Sequence, residues 1–222
     1  MAERAPNDPA ERDEIDESTL VTEDGAPVDN VFQEKQQRLL AGPLLDSWSA
    51  SRPFVAMANV GLFFQVDEPP VVPDMLLSVD VTLPADLAPK KNRSYFVWRY
   101  GKPPDAVVEV VSNRAGRELD EKRALYERIR VAHYVVFDPF ALLGDLRVRC
   151  FELTGERYVD RLDARLESLG LSLVEWDGAF EGHHDRWLRW ADLDGVPIPT
   201  AAERAEKLAA RLRQLGVNPE DV

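Results

Sequence analysis

The sequence predicts an α/β or α+β protein built on one mixed β-sheet flanked by helices, and three observations carry that reading. Two runs, Asp105–Val111 (DAVVEVV) and Val131–Asp138 (VAHYVVFD), are nearly continuous in β-branched and aromatic residues, the pattern of strands buried on both faces. Between them, Glu118–Arg130 has helical periodicity, so strand, helix and strand follow in the order of a crossover between neighbouring strands. Apolar residues make up 45% of the 222, a globular share that excludes wholesale disorder.

Taken in order, residues 1–30 hold ten acids and two bases among Ala and Pro, without apolar periodicity, and are expected to form an acidic, disordered tail. Phe32, Leu39, Leu40, Leu44 and Leu45 then make a helical stripe, interrupted near Gly42-Pro43. Phe54–Val60, Gly61–Val66, Val71–Leu83 and Ser94–Tyr100 read as strands, the third entered through Pro73-Asp74. Beyond the crossover, Asp145–Leu153 and Glu156–Val159 form a hairpin around Thr154-Gly155. The core domain is thus expected over residues 31–196. Residues 197–222 carry an appended helix: Thr200-Ala-Ala-Glu203 is a capping box, Ala205, Leu208, Leu212 and Leu215 recur at three- and four-residue spacing, and Gly216 follows as a stop. That stripe must cover something, and packing on its own domain or pairing with a second subunit as a homodimer both satisfy the pattern.

Composition narrows the classes. A single cysteine, Cys150, excludes a disulfide framework and a cysteine-rich zinc module. No apolar run reaches membrane-spanning length and the start is acidic, so neither a membrane span nor a secretory signal is expected, and the predicted location is cytoplasmic. The net charge of −13 argues against a generally basic nucleic-acid binder, although a local basic groove is compatible with it. Phosphate loops, dinucleotide turns, nucleophile elbows and HExxH helices are all missing. His183-His184-Asp185, flanked by Gly182, reads as a surface loop rather than a ligand set, because adjacent side chains rarely converge on one ion.

The informative residues are charged ones in apolar company. Glu109 interrupts a β-branched run, where a carboxylate is costly unless paired, protonated or bound to a metal. Asp105, four residues earlier, shares its face of the strand and is expected to point to the same end region. Asp74 opens another apolar strand. Carboxylates gathered from strand ends make a hard-oxygen cage suited to Mg²⁺ or Mn²⁺. The spacing is met equally well if Asp74 caps a turn and Glu109 pairs with a base in the core. On the following helix the inward stripe runs Leu119, Lys122, Tyr126, Ile129, which sets a lysine on an apolar face. Its ammonium either snorkels outward or turns to the carboxylates. Two acids on a metal plus one lysine suit phosphodiester hydrolysis, the metal acidifying a water and the lysine stabilising transition-state charge.

Pro73-Asp74, PPDAVVEVVS (Pro103–Ser112), Glu118…Lys122…Tyr126 and VAHYVVFDP (Val131–Pro139), in that order and with those gaps, resemble the bacterial Uma-two-type endonucleases of the PD-(D/E)XK restriction-endonuclease-like superfamily. The resemblance runs from about Gly25 to Gly216 and implies a restriction-endonuclease-like mixed sheet with a divalent-metal site. Asp74 matches the motif aspartate and Glu109 its glutamate. Val111 stands where the motif lysine is usual, and Lys122 matches the helix lysine this family carries instead. Glu34, in FQEKQQRLL, matches a first-helix acid that many superfamily members use as a ligand. Departures are Glu118 for the usual Asp, Arg130 for a glycine, His133 for a glutamate and Val135 for a tryptophan. The expected function is Mg²⁺- or Mn²⁺-dependent hydrolysis of DNA, with Asp74 and Glu109 as ligands and Lys122 as electrostatic catalyst. The rival from another class is a catalytically silent nuclease-fold protein that serves interaction or assembly.

Overall fold

The computed structural model describes residues 30–112 and 118–219. The acidic segment up to Asp29 lies outside the described residues, while Asn30, at its expected end, caps the first helix by accepting from the Gln33 N–H at 2.9 Å. That helix, α1 (Val31–Ser47), runs unbroken through Gly42-Pro43, contrary to the expected interruption. An interior proline costs a helix about 3 kcal/mol. Here Leu40 and Leu44, on either side of it, are both 0% exposed, and two leucines fully buried return a comparable amount. Leu45, counted in the stripe, instead faces solvent.

The strands are β1 (Phe54–Ala58), β2 (Leu62–Phe63), β3 (Met75–Val79), β4 (Tyr95–Phe96), β5 (Ala106–Val110), β6 (His133–Phe137), β7 (Val148–Thr154) and β8 (Arg157–Arg161). Six of them form the main sheet in the order β1-β3-β5-β6-β7-β8. Within this sheet only β5 and β6 are paired in parallel, and the helical segment between them makes the crossover that the sequence predicts. The expected hairpin β7–β8 forms, with its turn at Gly155-Glu156, one residue later than expected. Several early strands are shorter than the apolar runs that announce them. β1 stops at Asn59 and β3 at Asp80, both in the left-handed region (φ 53 and 62), so Val81 is buried without being part of the ladder. The Ser94–Tyr100 run is a strand only over β4, which pairs with β2, and then closes into one helical turn, α2 (Val97–Tyr100), ended by Gly101.

Alternation along the strands divides the core. Met75, Leu77 and Val79 with Ala106, Val108 and Val110 face the layer that holds α1. Leu76, Val107 and Val111 face the opposite layer, built on Tyr126 and Ile129 of α3 (Arg123–Ile129). A wide turn with i→i+5 bonding, Glu118–Lys122, leads into α3, which ends at Arg130 with φ 73. That left-handed conformation gives the physical reason for a glycine at this position.

A second sheet was not anticipated. It comprises β9 (Arg165–Leu166), β10 (Leu171–Phe180) and β11 (His183–Ala191), all antiparallel. The hairpin turns at Glu181-Gly182, both with positive φ (46 and 79), as a type I′ turn requires. His183 and His184 therefore begin a strand rather than lie in a loop, although both are exposed. Their half of β11 is solvated, so the pattern lacks the apolar alternation that marks a strand. The sheet is clamped to α1 by Gln36, fully buried, whose amide donates to the Leu188 C=O (2.8 Å) and accepts from the Leu188 N–H (3.0 Å).

The last helix, α4 (Ala201–Gln214), starts with the expected reciprocal Thr200–Glu203 capping box. Buried Arg189 of β11 holds it in place with a bidentate pair to Glu203 (2.9 and 2.6 Å) while lying over the Trp176 ring. Arg204 adds bonds to the Asp46 C=O and Ser47 Oγ of α1. Past that first turn much of the stripe is uncovered: Leu208 and Leu215 are each 63% exposed, while Leu212 is half-buried. Among the described residues no helix is long and apolar enough to cross a membrane.

Two stability effects follow from these contacts. Gln36→Leu leaves both Leu188 backbone groups buried without partners and should cost about 2–4 kcal/mol in urea unfolding. Arg130→Gly should raise stability by about 1 kcal/mol in the same assay, because glycine carries no Cβ penalty at positive φ.

Candidate active site

The antiparallel register of β3 and β5 pairs Met75 with Val108, so Asp74 and Glu109 fall opposite each other at the same end of the sheet. Alternation turns Glu109 to the face that α3 covers, while Asp74, just outside the strand, is reached by α1. Asp74 lies directly before β3, after a proline that has no N–H to give the ladder. Its Oδ2 accepts from the Val110 N–H (2.7 Å), which ties it to the strand residue next to Glu109. Its Oδ1 accepts from Gln37 Nε2 of α1 at 2.7 Å.

Glu109 is 1% exposed, yet both its oxygens are engaged: Oε2 by the Lys122 ammonium at 2.9 Å and Oε1 by the Tyr126 hydroxyl at 2.6 Å. Lys122 therefore turns toward the carboxylates rather than snorkelling, with its side chain still one-third exposed. The wide turn before α3 also brings Glu118 to the ammonium, 3.7 Å away, and leaves the buried Glu118 Oε2 without a hydrogen-bond partner. Wide turns of this kind recur at functional sites because they redirect side chains without ending the helix.

Burial pushes the Glu109 carboxyl up to about 8; Lys122 and the Tyr126 hydroxyl pull it down, and nearby Asp74 pushes it further up. For Lys122, burial lowers the pKa, but the negative charges of Glu109, Glu118 and Asp74 outweigh it and the net direction is up. Burial, then the Glu109 charge, hold the Tyr126 hydroxyl well above its ordinary range, so it acts as a donor.

Glu34 is half-buried and paired with Arg38 (2.8 Å); the α1 residues that bond to the site are Gln37 and Gln33, whose amide donates to the Val110 C=O at 3.2 Å. Asp105 shares the face of Glu109 but occupies the opposite end of β5, where it accepts from the Val79 N–H (2.8 Å) and Lys102 Nζ (2.6 Å). Its expected place beside Glu109 is corrected accordingly: four residues of extended chain separate the two by about 13 Å. The contributions of Gln33, Gln37 and Glu118 were missed. The available signal was the four-residue spacing of Gln33 and Gln37, which sets both amides on one side of the helix.

Among the described residues no three His, Cys, Asp or Glu gather as a metal cluster. The donor set of Asp74 and Glu109 nevertheless fits a hard divalent cation, since Mg²⁺ is commonly held by one or two carboxylates with water and substrate phosphate completing the shell.

The mixed sheet with its β–α–β crossover, helices on its faces and an acidic pair at one sheet end has the architecture of the restriction-endonuclease-like class. A family model, Uma2, described as "putative restriction endonuclease", matches residues 6–175, and the chain belongs to that family. The match begins within the acidic segment and ends in β10, so the second half of β10, all of β11 and all of α4 lie beyond it. No curated protein matches the chain.

The Glu109 shift has a defined effect on stability. Its pKa is higher folded than unfolded, so the folded protein retains a proton that the unfolded chain releases between about pH 4.5 and 8. Stability contributed by that proton is complete below this window and is lost as the pH rises through it. Glu109→Gln, which keeps the acceptor but cannot ionise, should match wild type near pH 5. By pH 8 it should exceed wild type by on the order of 3 kcal/mol in denaturant titrations. Parallel pH profiles for the two proteins would contradict this.

Proposed function

We propose that the chain is a Mg²⁺- or Mn²⁺-dependent endonuclease that hydrolyses DNA phosphodiester bonds at the Asp74–Glu109–Lys122 site. The observation that carries this reading is the Lys122 ammonium drawn onto a buried Glu109 opposite Asp74. A core that needed only to satisfy Glu109 has Tyr126 for that purpose; a cation beside two carboxylates suits binding of a phosphate. Membership in a family described as restriction endonucleases supports the same chemistry and the DNA substrate.

In this mechanism Asp74 and Glu109 hold the cation. Gln37 and the Val110 N–H orient Asp74, and Tyr126 orients Glu109. When bound, the metal supplies an acidified water and neutralises phosphate oxygens. Lys122 places positive charge where the attacked phosphate gains negative charge, and does so from a site that is already desolvated. Glu118, 3.7 Å from the ammonium, would help keep Lys122 in the site with Glu109 holding a cation.

Wild-type protein should melt several degrees higher with excess Mn²⁺ or Mg²⁺, as expected for a ligand that binds only the folded state, and Asp74→Asn should abolish that gain. Lys122→Met should keep the fold and the metal-induced shift but cut plasmid cleavage by roughly a hundredfold. The proposal fails if no divalent cation raises the melting temperature, or if Lys122→Met cleaves as well as wild type. A metal-responsive protein without cleavage would favour the silent interaction reading.

A further inference from the structure

At the sheet end that holds Asp74 and Glu109, β6 passes into a tightly tied loop before β7. The Asp138 N–H donates to the Arg147 C=O at 2.7 Å, and the Asp138 carboxylate, fully buried, accepts from the Leu142 and Leu143 N–H groups (2.9 and 2.7 Å). Phe140 packs its ring on Phe32 of α1, the centroids 5.1 Å apart. Two part-buried guanidiniums are held against this loop by carbonyls alone: Arg147 donates to the Pro139 C=O, and Arg149 to the Leu143 C=O at 3.1 Å. Neither has a carboxylate within ion-pair distance among the described residues, and Arg149 Nη1, shielded from water, has no hydrogen-bond partner. Arginines nearby differ: Arg123, Arg157 and Arg161 each meet a carboxylate, those of Asp160, Glu127 and Glu152.

Strand register places these charges beside the carboxylate site. Glu109 is level with Val136 of β6, and Val136 with Arg149 of β7. Arg149 thus stands on the rung of Glu109, two strand spacings or about 10 Å away. Level residues share a face, and Val136 and Phe151 both pack in the layer of Tyr126. Arg149 therefore rises on the side of the sheet where Lys122 meets Glu109, and Arg147 lies two residues nearer the sheet end.

We propose that Arg147 and Arg149 bind backbone phosphates of the DNA strand next to the phosphate attacked at Lys122. The inference rests on the reading of the carboxylate site given above. A strand carries a phosphate every ~3.4 Å along its axis, so a backbone seated at Lys122 runs other phosphates past guanidiniums about 10 Å away. The fork of an arginine matches the oxygens of a phosphate. Carbonyl contacts leave each charge uncompensated, and a cation already part-stripped of water has less hydration to lose on meeting an anion. In a chain of net charge −13, two such cations supply a local attraction for DNA that the overall charge opposes.

The salt dependence of duplex binding tests this, read by fluorescence anisotropy of a labelled oligonucleotide duplex with excess Mg²⁺ on the slow-cleaving Lys122→Met background. Arg147→Gln with Arg149→Gln removes both charges while leaving an amide to donate to the loop carbonyls. It should weaken binding roughly tenfold or more at low salt and reduce the slope of log affinity against log salt by about two. Arg147→Lys with Arg149→Lys should restore the slope, which counts charges, whereas a merely structural loss would not be restored. Equal slopes in the parent and the glutamine variant overturn the proposal, as does a lysine variant that binds no better than the glutamine one. A parent that binds no duplex overturns it together with the reading of DNA as substrate. Failure of the carboxylate site alone would show differently, as a missing Mg²⁺-induced melting shift in a protein whose slopes still separate.

Discussion

A carboxylate buried in the middle of a β-sheet is the constraint around which the first half of this molecule is arranged. Glu109 has β-branched neighbours on both sides in sequence and almost no contact with water. An isolated charge there would be too costly to keep, so donors must come from a neighbouring element. Both come from the segment that crosses from β5 to β6: Lys122 from the wide turn and Tyr126 from the helix proper. The crossover is thereby held against the sheet by polar contacts as well as by apolar packing. Tyr134 of β6 adds a further link by donating to the Glu118 C=O at 2.8 Å. The same arrangement leaves one Glu118 oxygen unsatisfied, a cost that a purely structural core would be expected to avoid.

Helix α1 performs the complementary task through three glutamines. Gln33 bonds the β5 backbone beside the site, Gln37 orients Asp74, and Gln36, facing the other way, completes the edge of the second sheet at Leu188. A neutral amide suits each place because it can donate and accept without bringing a charge into the core. The helix therefore couples the position of the carboxylate pair to the β10–β11 hairpin, and that hairpin in turn anchors α4 through Arg189. Site, second sheet and terminal helix form one mechanical chain despite their separation in sequence.

Much of this was legible in the linear sequence. The buried strands around the crossover, the helix between them, the hairpin after it and the capping box of α4 all follow from local periodicity and turn chemistry, which act over a few residues. Asp74, Glu109 and Lys122 could be singled out as charges in apolar company, but whether Lys122 turned to Glu109 or snorkelled outward was left open by the spacing. The second sheet was not, because half of β11 is solvated and its burial depends on Gln36, 152 residues away. Nor was the fate of Asp105: sharing a strand face with Glu109 says nothing about which end of the sheet a partner strand approaches.

By itself, the sequence determined the buried strands on either side of the crossover, where the crossover helix would lie, and that a few charged residues stood in apolar surroundings. Tertiary structure alone decided that α1 would continue through Pro43, that Gln37 rather than Glu34 would reach Asp74, and that the α4 stripe would stand clear of its own domain. The division has a physical cause. Periodicity and capping are set by neighbours along the chain, whereas the cost of a helical proline, the choice between adjacent polar residues and the cover for an apolar face depend on what the rest of the fold brings into contact.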